Sequence, residues 1–193
     1  LDTLPDALEA LCRRAAREAA ATVRIWNITS DIGVPVFLAA LDTPKRTFFG
    51  SGAALSSVYA VERAITEAVQ SFHVYEHMGS PPPLFGRTDF IETSHYQRCF
   101  LEAGHFTFRG GSVEVDFVDD PRVRLKSTDV QTGVDLTVKL LEERGINVFW
   151  RTLFEGGLAV VQVVAPRLER FHLVTQGIPV APGTRGRHFL AYS

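Results

Sequence analysis

One segment constrains this chain more than any other. From about Ala54 to Glu76, the residues Val58, Val61, Ile65, Ala68 and Phe72 recur at steps of three, four, three and four. That spacing predicts a long helix with a single apolar stripe. Tyr59, Arg63, Glu67 and Gln70 fall on the opposite stripe. A helix of this kind is buried on one side only, so it must lie against another layer of the fold.

The flanking segments supply that layer. Residues 22–29 and 34–41 read as two apolar strands around a turn at Ser30, Asp31 and Gly33, which predicts a hairpin. Pro35 belongs at a strand start or edge, because it cannot donate to the ladder. Residues 42–53 read as a loop ending in a Gly-containing run. A first helix is predicted over 4–20 from Leu4, Leu8, Leu11, Cys12, Ala15 and Ala19. A third is predicted over 130–144, with Gly145 as its stop. Residues 147–154 and 158–165 form a second hairpin around Glu155, Gly156 and Gly157. The segment 79–90 carries three prolines and two glycines and reads as a surface loop or lid. A short helix at 93–103, a strand at 113–117 and a loop-rich tail from 166 complete the reading. No internal repeat is visible. The expected class is α+β, with mixed or antiparallel sheets packed against amphipathic helices.

Composition narrows the function. With 193 residues, 46% of them apolar, the chain can build a core and is read as a single domain over 1–193. A net charge of −2 argues against a generic nucleic-acid or anionic-membrane binder. No run approaches the roughly 18 apolar residues of a membrane span. Cys12 and Cys99 give no disulfide framework, so a reducing cytoplasm is the expected location. Both read as small buried hydrophobes.

The polar stripe of the 54–76 helix has two readings. One is a solvated face with an Arg63–Glu67 pair worth about 0.3–0.5 kcal/mol. The other is a Glu67/Gln70 pair offering oxygens to Mg²⁺, a hard cation that takes one or two carboxylates plus phosphate oxygens. His73, Glu76 and His77 resemble a helical metal-binding pair, but read better as exposed polar residues at a helix end. His95, His105, His172 and His188 are scattered. Ser56, Ser57 and Ser71 lack the nucleophile-elbow context of a hydrolase. No phosphate-binding loop or dinucleotide fingerprint occurs. Arg122, Arg124 and Lys126 read as one exposed strand face, or as a contact for an acidic peptide.

At family level, residues 31–42 (DIGVPVFLAALD) followed by 50–72 (GSGAALSSVYAVERAITEAVQSF) resemble the C-terminal half of the YcaO domain. The helix element reads Ala60, Arg63, Ala64, Thr66, Glu67 and Gln70. Residues 156–170 resemble the family's late strand, ending in Pro166, Arg167, Leu168 and Glu169. Residues 177–187 fit its C-terminal Pro-Val-x-Pro-Gly-x-Arg. Phe72 stands where the family often has Arg, and Arg167 where it usually has Gly. The family's N-terminal half, with its Ser-x-x-x-Glu-x-x-Glu-Arg helix, has no counterpart here.

The resemblance implies an enzyme that uses ATP and Mg²⁺ to phosphorylate a peptide backbone amide oxygen. A nucleophile then attacks the activated carbonyl, giving an azoline or a thioamide in ribosomal peptide natural-product biosynthesis. It implies Glu67 and Gln70 as Mg²⁺ and phosphate ligands, with Arg63 and Arg185 as electrostatic helpers. It also implies that the Gly50–Ala54 turn shapes the nucleotide pocket. The implied partners are a precursor peptide or protein substrate and a complementary YcaO half, and a homo-oligomer is expected. The alternative is a non-catalytic half-domain that binds a peptide or protein partner.

Overall fold

The structure is a computed structural model, and it describes residues 3–78, 114–119, 129–168 and 183. The expected short helix at 93–103, the 79–90 loop and most of the tail lie outside the described residues. The chain divides into two compact units. One comprises Leu1–Gly79 and Glu114–Arg144; the other comprises Ser80–Val113 and Gly145–Ser193.

In the first unit, α1 (Asp6–Ala19) leads into a three-stranded antiparallel sheet of β1 (Thr22–Asn27), β2 (Val36–Asp42) and β3 (Thr47–Ala53), in the order β1-β2-β3. Helix α2 (Ser57–Met78) follows and packs against β3 and β2. The α+β class of the sequence reading is what the structure shows. Pro35 immediately precedes β2, where its missing N–H costs the ladder nothing.

Strand β3 corrects the reading of 42–53 as a loop. Gly50 and Gly52 disfavour a strand by propensity, yet both pair with β2, opposite Ala39 and Phe37. Their smallness serves the helix above them. A Cβ on Gly50 would overlap the Ala64 carbonyl and the Ala68 backbone, and one on Gly52 would overlap the Ala60 carbonyl. The same three alanines are fully buried, together with Val61 and Ile65. The buried stripe of α2 is therefore centred on Ala60, Ala64 and Ala68, of which the spacing had picked out Ala68. Burying this stripe lets helix and sheet backbones touch.

Further along, Phe48 on β3 meets Phe72 and Tyr75 of α2 edge-on, each with ring centroids 5.4 Å apart. The Arg46 guanidinium lies 4.3 Å from the Tyr75 ring centre. Helix α1 adds Leu8, Cys12, Ala15 and Ala19 to the same core. Cys12 is buried as expected, and burial raises its thiol pKa. Central strand β2 is buried on both faces: Phe37, Ala39 and Leu41 belong to the α2 core, and Leu38 and Ala40 on the other face are also buried. A strand covered on both sides reads as a continuous apolar run, as 36–41 does.

Residues 114–119 contain no strand, which corrects part of the expected strand at 113–117. Phe117 instead packs its ring 6.1 Å from Phe37 and donates its N–H to Thr3 Oγ1 at 2.8 Å. Helix α3 (Val130–Glu142) begins at an Asp129 cap that accepts from the N–H groups of Gln131 and Thr132. It stops short of Gly145, whose φ of 66° suits a residue without a Cβ.

In the second unit, β4 (Phe149–Glu155) and β5 (Ala159–Val164) form an antiparallel hairpin, with an irregularity between Thr152 and Phe154. Every residue of both strands is exposed. Arg167 Nη1 donates to the Gly145 carbonyl at 2.8 Å, and Ile146 is fully buried. The helix-then-hairpin order of α1-β1-β2 recurs in α3-β4-β5.

Candidate functional site

The candidate site grows from the exposed side of α2. Ser56 starts the helix, its Oγ accepting from the Tyr59 N–H at 3.3 Å. With Ala60, Ala64 and Ala68 turned to the sheet, helical spacing turns Tyr59, Arg63, Glu67 and Gln70 outward, and all four are exposed. Glu67 and Gln70 sit three residues apart, one turn along a common face.

The expected Arg63–Glu67 pair does not form. Arg63 lies over the Tyr59 ring, 5.9 Å from its centre. Glu67 turns to the sheet instead. Its Oε2 accepts from the Ser51 N–H at 2.8 Å and from Ser51 Oγ at 3.2 Å. Among the described strands β3 is an outer one, so this carboxylate occupies an edge donor that no described strand uses. One turn on, Ser71 Oγ donates to the Phe49 carbonyl at 3.2 Å. Helix and strand edge are thus joined by side chains along their length.

The Gly50–Ala54 segment is a strand up to Ala53 rather than a turn. Its closeness to α2 is what brings Ser51 within reach of Glu67. Sequence reasoning missed Ser51. No local pattern marked it, because its partner lies sixteen residues away on another element.

The other candidates resolve differently. His73 pairs through Nε2 with Glu18 of α1, and His77 Nδ1 donates to the His73 carbonyl at 2.8 Å. Each bond engages one ring nitrogen, tying the end of α2 to α1 and to its own backbone. Arg185, Cys99, His95, His105, His172, His188, Arg122, Arg124 and Lys126 lie outside the described residues. Among the described residues there is no group of three or more His, Cys, Asp or Glu side chains suited to a metal. None of their helices is long and apolar enough to cross a membrane.

Glu67 and Gln70 fit Mg²⁺ in kind, because both offer oxygen donors from one rigid helix face. In number they are part of a ligand set.

The family model described as YcaO cyclodehydratase, ATP- and Mg²⁺-binding, matches residues 1–169. The chain belongs to the YcaO family. Among solved structures, YcaO from Methanopyrus kandleri bound with AMPPCP and Mg²⁺ superposes with a TM-score of 0.63 at 21% identity, over 94% of this chain and 48% of that one. The heterocyclase TruD gives a TM-score of 0.59 at 21% identity, over 86% of this chain and 23% of that one. A heterocyclase in complex with substrate and cofactor gives 0.59 at 20% identity, over 86% and 22%. At these identities the likeness is one of fold. The chain spans less than half the length of each of these structures. No curated protein matches it.

Proposed function

We propose that this chain is part of a YcaO-type enzyme that uses ATP to activate a peptide backbone amide. The observation that carries this reading is the Glu67 carboxylate. It stands beside Gln70 on the exposed face of α2, anchored by Ser51, inside a match to the family that covers residues 1–169. An amide is a poor electrophile. Transfer of the ATP γ-phosphoryl group to its oxygen releases ADP and creates a leaving group. A neighbouring Cys, Ser or Thr side chain attacks the carbonyl carbon, and phosphate departs with the oxygen to leave an azoline. Sulfide as the external nucleophile gives a thioamide. Bound Mg²⁺ would offset charge on the phosphate oxygens. Glu67 and Gln70 would hold it, and Arg63, with Arg185, would add positive charge nearby. The substrate is a precursor peptide or protein, and a complementary YcaO half would supply the remaining carboxylates. A homo-oligomer and a cytoplasmic location belong to the same proposal.

A second reading is favoured by one observation: the described residues hold too few metal-binding side chains for a full site. In that reading the chain is a non-catalytic half-domain that binds a peptide or protein partner. A calorimetric titration with MgATP decides between them. Saturable binding that disappears in Glu67→Ala supports the enzyme. Absence of binding at millimolar MgATP supports the binding module.

A further inference from the structure

We infer that Ser51 is a positioning residue for Glu67, and that it sets which divalent cation this carboxylate prefers. The inference rests on the reading of Glu67 as a metal ligand. A carboxylate has about four lone-pair directions over its two oxygens. Ser51 fills two of them on one oxygen, through its N–H at 2.8 Å and its Oγ at 3.2 Å to Oε2. Oε1 is left to face a cation, so Glu67 offers one oxygen rather than a chelating pair. Mg²⁺ demands near-octahedral geometry and fits a one-oxygen ligand. Ca²⁺ accepts carboxylates through both oxygens and through irregular shells. The Ser51 contact therefore discriminates for the smaller ion.

The position is held by backbone rather than by chance rotamers. Gly50 and Gly52 on either side of Ser51 lie against the backbone of α2, and a Cβ on either would overlap it. The distance from strand edge to the Glu67 turn is thus fixed by main chain on both sides of the serine. Ser51 itself is exposed, so its hydroxyl can be removed without opening the core.

The test uses the full chain with Mn²⁺ as the octahedral, oxygen-preferring probe, in the presence of AMPPCP. Free Mn²⁺ is followed by electron paramagnetic resonance, and Ca²⁺ is the competitor. Loss of an outer hydrogen-bond partner costs a metal site about tenfold or more in affinity. Ser51→Ala is expected to weaken Mn²⁺ by about tenfold and Ca²⁺ by clearly less, narrowing the preference, while the melting temperature stays close to wild type. Ser51→Thr, which keeps the hydroxyl, is expected to restore both affinity and preference. Equal loss for the two ions, or no loss, overturns the role of Ser51 while leaving Glu67 as a ligand if Glu67→Ala abolishes binding. Wild-type chain that binds no Mn²⁺, or binding that survives Glu67→Ala, overturns the ligand reading and this inference with it.

Discussion

Strands β2 and β5 are both largely apolar and opposite in surroundings. In β2, residues Phe37 to Leu41 are all between 0% and 6% exposed. In β5, Val160, Val161, Val163 and Val164 are between 43% and 62% exposed. The difference lies in the cover. Strand β2 has a strand on each side and α2 laid on one face, close enough that glycine is required beneath it. Strand β5 has the β4 ladder, and both faces of that hairpin stay open to solvent. Apolarity in a strand reports what it needs; burial reports what the rest of the fold supplies.

Four substitutions, in three tests, would break or sharpen that contrast. The largest effect is expected where helix and sheet backbones meet. Gly52→Val must push α2 away from β3, because its side chain would overlap the Ala60 carbonyl. Overpacking of this kind costs about 3 kcal/mol or more. A denaturant melt of the first unit checks it, and a wild-type midpoint would refute the close-packing account. Next come matched truncations. Ile65→Ala removes a fully buried side chain, and about 2–5 kcal/mol is expected to be lost. Val163→Ala in the open hairpin is expected to shift stability by about 0.5 kcal/mol or less. Equal losses at the two sites would show that the hairpin is covered after all.

The smallest effect is electrostatic. Asp42 on β2 pairs with Arg24 on β1. The Arg24 hydrogen bond pulls the Asp42 pKa below its ordinary value, partial burial opposes this, and a Thr47 hydrogen bond adds to the lowering. A carboxylate with a lowered folded pKa stabilises the fold fully above its unfolded pKa. That contribution is lost as pH falls through the lower, folded value. With Arg24 half-exposed, about 0.5 kcal/mol is expected. Melts from about pH 6 down to about pH 3 should fall less steeply in Asp42→Asn than in wild type.

Much of this was legible in sequence. The apolar spacing located α1, α2 and α3, and apolar runs flanking turn residues located both hairpins to within a few residues. What stayed hidden depended on approach between elements. Strand β3 was masked by Gly50 and Gly52, which lower strand propensity and exist because a helix lies on them. Ala60 and Ala64 were not among the apolar positions Val58, Val61 and Ile65 that the spacing picked out, yet they form the contact. For the candidate site, the outward stripe of Tyr59, Arg63, Glu67 and Gln70 was readable from the period of 3.6. The partner of Glu67 was not. Helical spacing favoured Arg63, whereas the folded chain offers the stronger geometry of a strand-edge N–H plus a hydroxyl. No local pattern encodes a bond between residues 51 and 67.

The order of elements in the first unit carries one more consequence. From Asp6 to Met78, each strand pairs with the next in sequence, and α2 returns onto the strands just before it. The loops to be closed are short, so little chain entropy is spent before packing repays it. On a ribosome, the part of this core built from residues 6–78 can assemble as soon as α2 has emerged, before Phe117 is added to it and while the β4–β5 hairpin is still untranslated. The surface bearing Glu67 and Ser51 would then be in place before the later part of the chain folds.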